Sequence, residues 1–264
     1  MPTITSADGT TIAYETTGHG PALILVDGSL CHRGFGPARD LAGHLSDTFT
    51  VHLYDRRHRG DSGNTPPWSP EREIDDLAAL LQAAGGKACL FGASSGAVLA
   101  ADAANRLPGI TRLALYEPPF IVDNTHEPRP ATLVTDIEAL LARGDQSAAL
   151  KTFFTDVGVP APVVTMMKLT PNWKKLKNVA HTLPYDLHLL GDTSRGVPLD
   201  RTRWSSVTAP ALVMDGGKSP EYMRNAARAL SDALPKAEYR TIPDQTHIIN
   251  AAALAPAVKT YLAG

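Results

Sequence analysis

Cysteine is nearly absent from this sequence, and the two that occur are isolated. Cys31 and Cys89 are the whole complement of a 264-residue chain. Neither belongs to a C-x-x-C pair or to a Cys/His cluster with the spacing of metal ligands. The scarcity argues against a disulfide-stapled secreted domain. We therefore expect a disulfide-free protein without a structural metal.

An excess of charge of one sign is also missing. The chain has 25 Lys plus Arg against 27 Asp plus Glu, a formal net charge of -2, which gives little attraction for nucleic acid or an anionic membrane. No run approaches the roughly 18 apolar residues of a membrane helix. The first residues, MPTITSADGT, lack the basic and apolar segments of a signal peptide. We expect a cytoplasmic protein with neither nucleic acid nor a membrane as partner.

Motifs that bind nucleotides or catalytic zinc are missing as well. The sequence contains no G-x-G-x-x-G, no G-x-x-x-x-G-K and no H-E-x-x-H, so it predicts no bound cofactor. Its composition, 43% hydrophobic and 20% charged residues, is ordinary for a globular protein. The length permits one large domain, with or without an insertion.

Short apolar runs alternate with amphipathic segments along most of the chain. The continuous apolar character of the runs is typical of buried parallel strands, and they lie at residues 22–26, 50–55, 87–92, 111–117 and 210–215. Between two of them, residues 70–84 carry acidic side chains in the first turns and end at Gly85-Gly86, as a helix does. This alternation predicts an α/β fold with a covered parallel sheet.

The alternation stops between Pro118 and about Ser206. This interval has no convincing buried strand, and it contains four predicted helices, at 131–143, 146–155, 163–169 and 172–191. We interpret it as a helical insertion between two strands of the sheet. Most of its apolar residues are expected to pack its own core, and some to face the sheet and enclose an apolar cavity.

A G-x-S-x-G pattern, Gly92 to Gly96, lies between an apolar strand and an Ala-rich helix in CLFGASSGAVLAADAA. At such a turn the flanking glycines avoid collisions and the central Ser94 stands clear of the backbone. The start of the following helix can stabilise negative charge. Ser95 is not the centre of such a pattern, because it has no glycine two residues before or after it. The position of the pattern predicts that Ser94 is a nucleophile.

A serine nucleophile needs a base, and in this arrangement the order along the chain is Ser, then acid, then His. His247 is the last histidine and lies between a short predicted strand and the C-terminal helix. The other histidines have no comparable support. We therefore predict His247 as the general base.

Together these segments resemble the α/β-hydrolase family from about residue 9 to the end of the chain. The matching segments are DGTTIAYETTGHGPALILVDG, YDRRHRGDSG, GASSG, PALVMDGGKSP and DQTH. The resemblance implies a mostly parallel eight-stranded sheet flanked by helices, with a cap between strands 6 and 7. It divides the chain into a core of residues 1–117 and 207–264 and a helical cap of residues 118–206.

One departure from the family's pattern lies after the third strand, where the usual His-Gly is replaced by Asp27-Gly28. The family's oxyanion hole uses two backbone N–H groups. These map here to Ser29, with Gly28 a close alternative, and to Ser95. Because backbone groups donate, the replacement need not abolish the hole. The role of Asp27 stays open.

The second departure concerns the acid of the triad. The family commonly has Asp shortly after strand seven, and the matching residue here is Ser219, which cannot supply a negative charge. Glu117, at the carboxyl end of strand six and held extended by the Pro-Pro pair that follows, is the preferred alternative. Asp215 is the runner-up, followed by Asp123 and Asp244.

Three short features together are similar to the zearalenone-type lactone hydrolases: Asp-Gly after strand three, Ser-Ser-Gly at the elbow and Glu-Pro after strand six. We predict a cofactor-free serine hydrolase, a carboxylesterase or lactonase, that cleaves a small apolar ester or lactone through an acyl-enzyme, as a monomer or homodimer. The alternatives are a haloperoxidase-like enzyme, a carbon–carbon hydrolase or lyase, and a small-molecule receptor with little turnover.

A basic run, Arg56 to Arg59, follows the fourth strand. We interpret it as a structural turn whose charges are paired or solvated, and not as a nucleic-acid site.

Overall fold

One eight-stranded sheet forms the centre of the protein. The computed structural model describes residues 2–264. The strands are β1 Thr3–Thr5, β2 Thr11–Gly18, β3 Ala22–Val26, β4 Thr50–Tyr54, β5 Ala88–Ala93, β6 Ile110–Tyr116, β7 Ala211–Gly216 and β8 Ala237–Ile242. Their order is β1-β2-β4-β3-β5-β6-β7-β8. Strand β2 is antiparallel to β1 and β4, and all other neighbours are parallel, so the predicted fold class is confirmed.

Helices cover both faces of the sheet. They are α1 Ala38–Leu45, α2 Pro70–Ala83, α3 Ser95–Ala104, α4 Leu133–Ala142, α5 Gln146–Asp156, α6 Ala161–Met167, α7 Pro171–Val179, α8 Leu183–Leu190, α9 Glu221–Ala233 and α10 Ala251–Ala263. Leu41 of α1 and Val258 of α10 belong to the core on one face. Leu77 of α2, Val98 of α3 and Leu230 of α9 belong to the core on the other.

The central strands are apolar because both of their faces are buried. Every residue of β5 and β7 is buried, which explains their continuous apolar runs. Strand β8 at the sheet edge instead alternates between exposed and less exposed residues. The carboxyl ends of β3, β5 and β6 lie side by side, so the loops that follow these strands meet at one edge of the sheet.

Helices and turns fill the interval between β6 and β7, where the structure has no strand. The predicted helices 131–143, 146–155 and 163–169 correspond to α4, α5 and α6. Each helix buries part of its apolar face, through Leu133 and Ile137 of α4, Leu150 and Phe153 of α5 and Val164 of α6. Two apolar side chains of α6, Val163 and Met166, are instead 44% and 69% exposed. The division into core and cap at residues 118–206 stays a prediction.

The single helix predicted over 172–191 is wrong. Helix α7 ends at Val179, a 3₁₀ turn spans Ala180–Thr182, and α8 begins at Leu183. Pro184 has no N–H to donate to the carbonyl of Ala180, and its ring would collide with that carbonyl in a continuous helix. The proline is instead accommodated in the first turn of α8.

Among the helices of residues 2–264, none combines the length and the apolar character that a membrane span requires.

Candidate active site

Ser94 occupies a strained turn between β5 and α3. Its backbone has φ 56° and ψ -128°, which is outside the regions that non-glycine residues ordinarily adopt. The flanking glycines have no room for a side chain. A Cβ on Gly92 would lie 2.5 Å from the carbonyl oxygen of Gly96, and a Cβ on Gly96 would lie 2.2 Å from that of Val26. The G-x-S-x-G spacing therefore follows from close backbone contact on both sides of Ser94.

Glu117 and His247 form a hydrogen-bonded pair. Glu117 directly follows β6, is fully buried and has φ 46°. The extended backbone predicted from the Pro-Pro pair is therefore wrong, because the chain turns through the left-handed region at this residue. Its Oε2 lies 2.8 Å from Nδ1 of His247, and its Oε1 accepts a hydrogen bond of 2.7 Å from the backbone N–H of Gly216. Both carboxylate oxygens are thus fixed. With Nδ1 engaged by a carboxylate, Nε2 is the ring nitrogen left for a reacting group.

Neighbouring backbone contacts hold this pair. The N–H of Glu117 donates to the carbonyl of Met214 at 3.0 Å. The Tyr116 hydroxyl donates to the carbonyl of Thr246 at 2.6 Å, so β6 also supports the loop that carries His247. Ser94 makes no hydrogen bond with His247 among the described residues. Catalytic hydrogen bonds often form only when substrate is bound.

The other candidate acids have different partners. Asp215 is buried, and one of its oxygens accepts a hydrogen bond from the Tyr239 hydroxyl. Asp123 accepts hydrogen bonds from Thr125 and Asn225. The exposed Asp244 pairs with Lys218 at 2.9 Å. Among the four carboxylates considered, Glu117 is the one that the structure brings to His247.

Ser219 takes the place of the acid that the family commonly has after strand seven. Its N–H donates to the carbonyl of Gly216 at 3.0 Å. Its hydroxyl is buried and has no hydrogen-bond partner among residues 2–264. The side chain therefore makes no contact that would orient His247.

The candidate oxyanion donors lie beside Ser94. A Cβ on Gly28 would be 3.0 Å from Cβ and 3.6 Å from Oγ of Ser94, so the Asp27-Gly28-Ser29 loop passes directly over the serine. Ser95 is the first residue of α3, where backbone N–H groups have no intrahelical partner. The hydroxyls of Ser29 and Ser95 are 3.3 Å apart. The two residues predicted to donate are thus adjacent in space.

Asp27 is a buried acid in the same loop. It is 7% exposed, and burial raises the pKa of its carboxyl to about 7, although Arg59 and Arg56 partly oppose the shift. It lines a narrow crevice together with Ile249, two residues after His247. At neutral pH this carboxyl lies close to its titration midpoint.

The three arginines of the run after β4 are buried and paired, whereas His58 is exposed. Arg56 donates to both oxygens of Glu73, and Arg57 to both oxygens of Asp76. Arg59 lies 2.8 Å from Oδ2 of a carboxylate of α8. Of the two arrangements that the sequence predicted, paired or solvated charges, the arginines adopt the paired one. The partner on α8, Asp186, was not foreseen from the sequence.

A second cavity opens between the core loops and the insertion. It has a volume of about 410 Å³, and its lining includes His32, His58 and His181. Across residues 2–264, no group of three or more His, Cys, Asp or Glu side chains could hold a metal ion. The cavity wall does not include Ser94 or His247.

Comparison with known proteins identifies the family. A model of the alpha/beta hydrolase family matches residues 18–258. The chain belongs to the alpha/beta hydrolase family. It is 46% identical to an alpha/beta hydrolase from Sphaerobacter thermophilus DSM 20745, whose crystal structure superposes with a TM-score of 0.91 over 98% of this chain and 99% of the other.

Two further similarities are weaker. The chain is 33% identical over 125 residues to the uncharacterized hydrolase YraK of Bacillus subtilis (strain 168), a match that spans 45% of this chain and 44% of YraK. The crystal structure of the enol-lactonase from Burkholderia xenovorans LB400 has a TM-score of 0.72 at 20% identity, with 100% of both chains covered. The latter likeness is one of fold.

Proposed function

We propose that this protein is a serine hydrolase that cleaves a small, apolar ester or lactone through an acyl-enzyme on Ser94. The observation that carries the proposal is the 2.8 Å hydrogen bond between Glu117 and His247, on the same sheet edge as the strained serine turn. A buried carboxylate bound to Nδ1 of a histidine fixes the ring tautomer and stabilises its protonated form.

In the first half of the reaction, Ser94 Oγ attacks the substrate carbonyl carbon while its proton passes to Nε2 of His247. The carbonyl oxygen becomes an oxyanion, which the N–H groups of Ser29 and Ser95 stabilise, each contributing on the order of 3 kcal/mol. The tetrahedral intermediate collapses, its carbon–oxygen bond to the leaving group breaks, and His247 returns the proton to the leaving oxygen. An acyl ester on Ser94 remains.

In the second half, water attacks the acyl carbonyl and gives a proton to His247. The same N–H groups stabilise the second oxyanion. Collapse releases the carboxylic acid and restores the Ser94 hydroxyl with the proton held by His247. Glu117 keeps its negative charge throughout and pairs with the imidazolium each time it forms.

The surroundings of His247 favour an apolar substrate. Ile248, the next residue along the chain, is 82% exposed and offers an apolar contact to a substrate bound beside His247. The near-neutral net charge of -2 gives no reason to expect an anionic substrate. The fold likeness to an enol-lactonase makes lactones a sensible part of a substrate panel.

Hydrolysis of short aryl esters and a panel of lactones tests the proposal. Wild type should turn over at least one class, and Ser94→Ala should lose about 10⁴-fold or more in kcat. Ser206→Ala, which changes an exposed serine, serves as the matched control and should retain wild-type rates. Undiminished turnover by Ser94→Ala would contradict the proposal, as would a folded wild type that hydrolyses no member of either panel.

A further inference from the structure

A buried side-chain cluster connects the insertion to the loop over Ser94. Asp186 of α8 accepts a hydrogen bond of 2.7 Å from the Ser95 hydroxyl, which in turn lies 3.3 Å from the hydroxyl of Ser29. The same carboxylate accepts from Arg56 at 2.7 Å and from Arg59 at 2.8 Å. One carboxylate from the insertion thus reaches Ser95 and two arginines of the core.

The two arginines also hold the backbone of the loop. Arg59 Nη1 donates to the carbonyl of Gly28 at 2.7 Å, and Arg56 Nη1 donates to the carbonyl of Asp27 at 3.2 Å. The peptide bond from Gly28 to Ser29 is trans. In a planar trans peptide the C=O and N–H bonds point in opposite directions. Because Arg59 fixes the Gly28 carbonyl, it also fixes the direction of the Ser29 N–H.

We propose that Asp186 is a positioning residue for the oxyanion hole, an inference that rests on the proposed hydrolase function. It orients one donor through the Ser95 hydroxyl at the start of α3. It orients the other through Arg59 and the Gly28–Ser29 peptide plane. A shift of α8 in the insertion would therefore change the directions of the N–H groups of Ser29 and Ser95.

The burial and charge of the cluster suit this role. The side chains of Arg56, Arg59 and Asp186 are at most 2% exposed. Burial acts to raise the pKa of Asp186, but Arg59 and Arg56 outweigh it and hold that pKa below its ordinary value. Glu73 supplies a second carboxylate to Arg56, so two cations face two anions. Nε of Arg59 has no hydrogen-bond partner among residues 2–264, but every charged group of the cluster has an oppositely charged partner. Such buried pairing restricts the side chains to a narrow range of arrangements.

The test compares Asp186→Asn with Asp76→Asn. Asp76 is the matched control because it forms an equally buried bridge, at 2.6 Å to Arg57, that touches neither Ser95 nor the Asp27-Gly28-Ser29 loop. We expect Asp186→Asn to lower kcat for ester hydrolysis by about 10–100-fold with KM within about threefold. Asp76→Asn should keep kcat within about twofold of wild type when both are assayed well below their unfolding temperatures.

An inhibitor series separates positioning from general damage to the fold. A boronic acid that adds to Ser94 forms a negatively charged tetrahedral boronate with one oxygen in the oxyanion hole, which resembles the transition state. Its affinity should fall in Asp186→Asn in proportion to kcat/KM, and the affinity of a product-like carboxylic acid should change little. If Asp186→Asn does not fold, Ser95→Ala keeps the backbone N–H, removes the link to Asp186, and should lower kcat by about 3–10-fold.

The outcomes distinguish this inference from the function on which it rests. Absence of hydrolysis in wild type would remove the proposed function. Hydrolysis and boronate binding in Asp186→Asn equal to those of Asp76→Asn, with Ser95→Ala also at wild-type rates, would overturn the positioning role and leave the hydrolase function standing.

Discussion

Glu117 is the residue that separates this site from the commonest form of its family, because Ser219 replaces the acid after strand seven. Glu117→Gln keeps the shape of the side chain but removes the charge that stabilises protonated His247. We expect kcat for ester hydrolysis to fall by about 10³–10⁴-fold. Asp215→Asn is the comparison, since Asp215 contacts Tyr239 and not His247; its kcat should stay within about tenfold. The reverse ranking in steady-state kinetics would assign the acid to Asp215.

Asp27 should make folding stability depend on pH. Its pKa of about 7, against an ordinary 3.8, means that between these pH values the folded protein binds a proton that the unfolded chain has lost. The free energy of unfolding therefore falls as pH rises through this window, and the loss approaches about 4 kcal/mol above pH 7. Asp27→Asn should remove this dependence. Urea unfolding of both proteins at about pH 5 and about pH 8 checks it.

A stability difference between Asp27→Asn and wild type that stays constant across the two pH values would show that Asp27 is charged at both.

The sequence drew attention to Asp27 through the missing His, but it did not reveal the burial that sets its pKa. The role of Asp186 could not be predicted from the sequence. Asp186 is 91 residues from Ser95 in the sequence, and in α8 no motif marks it as different from any other acidic side chain.

The turn from β5 into α3 depends on its glycines as a unit. A Cβ on Gly96 would be 2.2 Å from the Val26 carbonyl and 2.6 Å from that of Asp27, and backbone atoms cannot move aside cheaply. We expect Gly96→Ala to destabilise folding by about 2–3 kcal/mol or more and to displace the loop over Ser94. Gly43→Ala in α1, where a Cβ meets nothing within 4 Å, should stabilise by up to about 1 kcal/mol.

Chemical unfolding of both glycine variants provides the comparison. Equal stabilities would mean that the backbone at the turn relaxes around a methyl group.

The sequence predicted the G-x-S-x-G turn and the fully buried strands β5 and β7 correctly, because these elements have strong local patterns. The prediction failed at Ala180, where a proline four residues later breaks the predicted helix 172–191. Strand β1 is three residues long and mostly exposed, so it has no hydrophobic pattern from which a strand could be predicted.

A buried bridge and a half-buried one join the insertion to the core. Asp186 binds Arg56 and Arg59, and Asp102 of α3 accepts from Arg203 and from the indole N–H of Trp204. The buried apolar residues of the insertion also continue into the core of one sheet face. We therefore expect the whole molecule to unfold in one transition.

Urea titration followed by two probes tests this cooperativity. Tryptophan fluorescence reports largely on the insertion, because Trp173 lies in α7, Trp204 lies just before β7, and Trp68 stacks on Tyr185 of α8. Far-ultraviolet circular dichroism reports on all helices and strands. The two curves should have the same midpoint. Separated midpoints would mean that the insertion is an independent unit. Such long-range pairs cannot be inferred from one sequence, because each involves partners about a hundred or more residues apart.

Whether Ser94 is an activated nucleophile can be measured by fluorophosphonate labelling of the folded protein followed by mass spectrometry of its peptides. The turn geometry, the Glu117–His247 pair and the adjacent N–H groups together predict one stoichiometric adduct on Ser94. The adduct should be lost in Ser94→Ala and form far more slowly in Glu117→Gln. No adduct on folded wild type, or an adduct of unchanged yield in Ser94→Ala, would contradict the serine hydrolase assignment.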